Sequence, residues 1–122
     1  MNPIPAADWT DASLPLYNQA IGHAYAIERH HILPKKSLYK LFKAKSSYDK
    51  SLVNELANIA LLTSQSDHTI FSYEPSVYLP NIESKFLKQQ FVPLETALWQ
   101  MEKESFIAFL RERRRLLAES IN

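Results

Sequence analysis

Apolar and polar residues change their period along this chain, and each change predicts an element. Residues 1–9, with Pro3 and Pro5, predict an irregular leader. Asp11 then stands where a cap belongs for a helix carrying Leu14, Leu16, Tyr17, Ala20 and Ile21, with Pro15 tolerated in its first turns. Residues 24–33 are rich in β-branched and aromatic side chains and close on Pro34, which predicts an extended segment, one strand of a short hairpin. Ser37 caps a short helix from Leu38 to Lys45, and residues 46–50 form a polar loop. Within 52–62, periodicity leaves the apolar run around Asn58 open between strand and helix, and its last part is assigned as the second strand. Thr63 or Ser64 then reads as an N-cap, and Ser64-x-x-Asp67 matches a capping box in outline, with Asp for the usual Glu or Gln.

The last third is helical, punctuated by Pro75, Pro80 and Pro93. Phe106, Ile107, Phe109, Leu110, Leu116, Leu117 and Ile121 make a stripe that packs a final helix on the core. The opposite face carries Arg111, Arg113, Arg114 and Arg115 with Glu112, a pattern that reads as a solvated face, with phosphate contact as the alternative. Trp9, Trp99, Phe106 and Phe109 follow the apolar face and are assigned to the core rather than to base stacking. The pattern defines an α+β, mostly helical chain of one domain.

Composition narrows the chemistry. The 122 residues, 46% hydrophobic, suffice for one core. The net charge of +1 conceals a local concentration: Lys35, Lys36, Lys40, Lys43, Lys45 and Lys50 face only Asp49, a local net of +5. Tyr39, Phe42 and Tyr48 interleave with these lysines, and some of those rings belong to the core with Leu38 and Leu41. There is no Cys, so no disulfide or thiolate zinc site is available, and any metal must use imidazole, carboxylate, carbonyl or water. One Gly, Gly22, excludes glycine-rich phosphate loops. No secretory leader or membrane-length apolar run is present, so the expected setting is the cytoplasm, with no membrane partner.

The four histidines stand at 23, 30, 31 and 68. His23, beside Gly22, reads as structural. His30 and His31 are adjacent and enter the Pro34-Lys35-Lys36 turn, with Asn58 and then Asp67-His68 downstream. Taken singly, Asn58 is an ordinary turn residue and Asp67 an ordinary helix cap, since both types satisfy backbone donors. Taken together, the set supplies what phosphodiester hydrolysis requires: an imidazole base near neutral pH, ligands for a hard cation and a basic surface.

The ordered residues His30-His31-Ile32-Leu33-Pro34-Lys35, Asn58-Ile59-Ala60-Leu61-Leu62-Thr63 and Asp67 resemble the HNH nucleases. Pro75-Ser76-Val77-Tyr78-Leu79 and the tail from Phe109-Leu110-Arg111 to Ile121-Asn122 are similar to the GmrSD-like group within them, so the resemblance spans residues 26–122. It implies a ββα-metal core over 24–72, with a short hairpin, between an N-terminal leader and helix (1–23) and a helical extension (73–122). It further implies His30 as a metal ligand, His31 as general base, Asn58 as the residue orienting hairpin and base, and Asp67 as the last metal ligand. Asp departs from the usual Asn or His there and leaves room for a shifted register with His68 as ligand. Lys35 and Lys36 would grip flanking phosphates, with Lys40 and Lys43 extending the nucleic-acid surface.

The expected activity is single-metal hydrolysis of DNA, with Mg²⁺ as the cation and Mn²⁺ or Ni²⁺ as substitutes. The resemblance places such a domain in a restriction or phage-defence system, alongside a nucleotide-sensing domain or partner protein. Two alternatives stay open: a non-catalytic nucleic-acid-binding or assembly module of the same fold, and an RNA-cleaving toxin.

Overall fold

The computed structural model describes residues 7–10, 27–42, 47–70 and 73–121, apart from the side chains of Phe42, Ser47 and Asp49. The helix expected from Asp11, along with His23, Lys43 and residues 24–26 of the first extended segment, lies outside the described residues. Within them the chain is α+β and mostly helical. Strand β1 (Ile27–His31) pairs antiparallel with β2 (Ile59–Thr63), Ile27 opposite Thr63 and His31 opposite Ile59. Between the strands lie α1 (Lys35–Phe42), α2 (Ser47–Val53) and a 3₁₀ turn at Leu56–Asn58. After β2 come α3 (Ser64–Ile70), α4 (Pro75–Tyr78), α5 (Ser84–Gln89) and α6 (Lys103–Ile121), with 3₁₀ turns at Leu79–Asn81 and Thr96–Trp99. No helix among the described residues is long and apolar enough to cross a membrane.

Three local expectations change. Helix α1 begins at Lys35, not after Ser37, because the Pro34 carbonyl accepts the Leu38 N–H at 3.0 Å and so opens the helical ladder. Lys35 and Lys36 therefore occupy its first turn. The expected polar loop at 46–50 is largely helix α2. The Ser64-x-x-Asp67 box does not form: Thr63 is the cap, its Oγ1 accepting the Ser66 N–H at 3.2 Å, and Asp67 turns elsewhere.

The core gathers Trp9, Leu38, Leu62, Leu79, Phe106 and Phe109, among others. Trp99 is buried as well, while Leu41 and Ile121 stand exposed. A two-stranded hairpin has little stability alone, so its free groups matter. Gln90 pairs its side-chain amide with the backbone of Leu61, donating to the carbonyl at 2.7 Å and accepting the N–H at 2.8 Å. This satisfies the other edge of β2, which would otherwise invite a further strand. Asp8, fully buried, closes the opposite end by accepting from the Thr63 N–H at 2.9 Å, from the Thr63 hydroxyl and from the Ser66 hydroxyl.

Arg113 corrects the reading of the arginine face. It is buried, and its guanidinium donates to the carbonyls of Leu56, Ala57, Ile59 and Gln90, the Ile59 bond measuring 2.6 Å. Burial pulls it down to about 10, so it remains charged at neutral pH. Arg114 instead pairs with Glu55 on the surface, and Arg115 with Glu112 and Glu119. These three side chains are therefore engaged within the protein rather than offered to phosphate.

Arg113→Met should leave several buried carbonyls without a donor and cost about 3 kcal/mol or more in urea denaturation. Arg114→Ala, which removes an exposed ion pair, should cost less than about 1 kcal/mol. Equal losses would contradict the structural role of Arg113.

Candidate functional site

The two-residue period of a strand places Arg29 and His31 on one face of β1 and His30 on the other. Arg29 and His31 line a cleft of about 370 Å³ with Pro34, Lys35, Lys36, Ser37 and Asp67. Lys35, Lys36 and Lys40 are exposed on α1, and the Lys35 ammonium lies 5.6 Å from the centre of the Tyr39 ring. His31 Nε2 stands 3.0 Å from Asn54 Oδ1.

His30 sits behind the cleft at 1% exposure. Its Nδ1 is 3.0 Å from Asp67 Oδ1, and its Nε2 is 2.9 Å from the Tyr78 hydroxyl. Trp9 and Tyr78 meet its ring edge-on, with centroids 6.0 and 5.5 Å away. Burial pushes the imidazole below its ordinary value; the hydrogen bond and charge of Asp67 oppose that shift, and His31 adds to it. Burial, and secondarily the charge of Asp67, holds the Tyr78 hydroxyl well above its ordinary range, so it stays protonated and a donor.

Hydrogen accounting orients this group. Tyr78 donates its single proton to the Ile32 carbonyl, 2.6 Å away, because a carbonyl can only accept. His30 Nε2 must then carry its own hydrogen and donate it to the Tyr78 oxygen. In the neutral ring this leaves a lone pair on Nδ1 facing the Asp67 carboxylate, and either a proton or a metal cation between the two would satisfy both. The donor set fits a divalent metal: two ligand atoms at right angles, each about 2.1 Å from Mg²⁺, stand about 3.0 Å apart. Imidazole with carboxylate also suits Mn²⁺ and Ni²⁺.

Among the described residues, no group of three or more His, Cys, Asp or Glu side chains is placed to hold a metal. The candidate ligands are therefore the pair His30 and Asp67, with the remaining positions left to water or phosphate oxygens, as Mg²⁺ commonly accepts. His68 is exposed on α3 and does not line the cleft; the side chain that this turn sends there is Asp67.

Asn58 is buried and does not reach the cleft. Its Oδ1 accepts the Leu33 N–H at 2.9 Å, and its Nδ2 donates to the carbonyls of Leu33 and Val53. Its own carbonyl takes the Ile32 N–H at 2.8 Å. It thus positions the turn after His31 instead of touching a substrate.

Sequence reasoning missed three residues here. Arg29 was accessible from the strand period, being two positions before His31. Tyr78 appeared only as a landmark, with no signal for its bond to His30. Asn54 follows α2, inside the 52–62 run that periodicity leaves open between strand and helix, and nothing in the sequence pairs it with His31. No protein-family model, curated protein or solved structure matches the chain. The residues themselves therefore carry the functional argument.

Asn58→Leu should strip three buried backbone groups of their partner and cost about 3 kcal/mol in chemical denaturation. His68→Ala, on the exposed side of α3, should stay within about 0.5 kcal/mol of the parent. An Asn58→Leu protein as stable as the parent would refute the positioning role.

Proposed function

We propose that this protein is a metal-dependent endonuclease of HNH type that hydrolyses DNA phosphodiester bonds. The observation that carries the reading is the 3.0 Å approach of His30 Nδ1 to Asp67 Oδ1, with Asp67 lining the same cleft as His31, Arg29, Lys35 and Lys36. A ligand pair made of a buried imidazole and a half-buried carboxylate, a nearby second imidazole and a basic rim are the three parts that phosphodiester hydrolysis requires. The hairpin followed directly by α3 also agrees with the ββα-metal arrangement that the sequence resemblance implies.

In this reading His31 takes a proton from the attacking water as its oxygen bonds to phosphorus and the bond to the 3′ oxygen breaks. Arg29, Lys35 and Lys36 hold the phosphate and its neighbours by charge. Lys35 and Lys36 lie in the first turn of α1, where the helix dipole disfavours cations; a bound phosphate would offset that repulsion. His30 and Asp67 would hold the cation, Mg²⁺ or its substitutes, which would supply positive charge to neutralise the phosphoryl and leaving oxygens. Asn58 keeps the turn carrying Pro34 and Lys35 in place. An effector role in restriction or phage defence, with a separate sensing partner, belongs to the same proposal and rests on the sequence resemblance.

Plasmid nicking with Mg²⁺, Mn²⁺ or Ni²⁺ tests the reading. Cutting should require the metal, stop with chelator and disappear in His31→Ala, while calorimetric metal affinity in that variant stays near the parent value. Asp67→Ala should weaken metal binding more than His68→Ala does; the reverse order moves the ligand to His68. Parallel RNA and single-stranded substrates distinguish a deoxyribonuclease from an RNA-cleaving toxin. Metal-independent DNA binding without cutting, from folded protein, would favour the non-catalytic module.

A further inference from the structure

We infer that Asn54 is the positioning residue for His31, fixing its hydrogen on Nε2 so that Nδ1 is the atom that receives the proton from water. The inference deepens the nuclease reading and rests on it for the word base, but the tautomer itself follows from geometry. Asn54 Nδ2 donates to the Lys50 carbonyl at 2.9 Å and to the Tyr39 hydroxyl at 3.0 Å. The carbonyl can only accept, so the amide nitrogen must lie on that side and the amide oxygen must face His31. That oxygen, 3.0 Å from His31 Nε2, can also only accept. The imidazole therefore donates from Nε2, and a neutral ring has its one lone pair on Nδ1.

Every hydrogen of the Asn54 amide is used in this arrangement, although the residue is exposed. Its two N–H groups are spent on α2 and α1, which prevents the amide from flipping to present nitrogen to the histidine. Tyr39, which receives one of them, also lies beneath the Lys35 ammonium. Asn54 consequently ties the orientation of His31 to the helix that carries the phosphate-facing lysines. A neutral amide supplies this orientation without adding negative charge beside the substrate. Histidine partners of this kind matter because an imidazole in the wrong tautomer presents a hydrogen where a lone pair is needed.

The test combines a spectrum with kinetics. Long-range nitrogen–proton NMR correlations, recorded at alkaline pH on the neutral ring, report which ring nitrogen is protonated, and the His31 signals are assigned by their loss in His31→Gln. Wild-type protein should show His31 protonated on Nε2. Asn54→Leu should give a mixture of tautomers and lower kcat for plasmid nicking by about 10- to 100-fold with KM unchanged. Asn54→Asp, which keeps an acceptor oxygen, should retain the Nε2–H form. A wild-type His31 protonated on Nδ1, or an Asn54→Leu protein with unchanged tautomer, overturns the assignment, whatever happens to kcat. Absence of cutting in the wild type would defeat the nuclease reading alone, because the spectrum still decides the role of Asn54.

Discussion

A buried imidazole must satisfy two ring nitrogens, and the arrangement around His30 follows from that requirement. Tyr78 meets one nitrogen and Asp67 stands at the other, from two different helices after the hairpin. Tyr78 is itself fixed by the carbonyl of Ile32, two residues beyond His30, so β1 and α4 are tied at both ends of one short span. Trp9 adds an aromatic wall from the N-terminal segment. These contacts hold the buried ring and direct Asp67 toward a cleft that also contains His31. The contact that holds the buried ring thus involves the same carboxylate that lines the cleft.

The hairpin survives as two strands because side chains from distant segments complete its backbone hydrogen bonding. Asp8 covers the Thr63 end, Asn58 binds the turn after His31, and Gln90 and Arg113 serve the remaining groups of β2 and its approach. Each is a polar group within or beside an apolar core, where an unmade hydrogen bond costs more than a made one contributes. Arg113 is the extreme case: a charged side chain answered by neutral carbonyls. Its role is architectural, and it reaches the site only by fixing the strand that faces His30 and His31.

Much of the scaffold was legible from local pattern. Pro34 closed the first strand, Thr63 capped α3, and Phe106, Phe109 and Leu110 marked the buried side of the final helix. The first turn of α1 was misjudged because Ser37 is a common cap, whereas the Pro34 carbonyl does that work through the backbone. Arg113 was hidden because burial of one arginine within a run of four depends on tertiary neighbours that composition does not record. Asp67 had two sound local readings, cap or ligand; the cap falls to Thr63, and the approach of Asp67 to His30 spans 37 positions that no local pattern records. Asn54 and Tyr78 were invisible as site residues for the same reason: their partners lie 23 and 48 positions away.

The proposed metal site pairs His30 and Asp67 as adjacent ligands of one divalent cation beside the His31 cleft. The most direct measurement is a crystal structure of the protein with Mn²⁺, using the anomalous signal of the metal to locate it. The expected result is a peak between His30 Nδ1 and Asp67 Oδ1, within about 2.2 Å of each. A map with the ion elsewhere, for instance on His68, or with a direct hydrogen bond retained between His30 and Asp67, would contradict it.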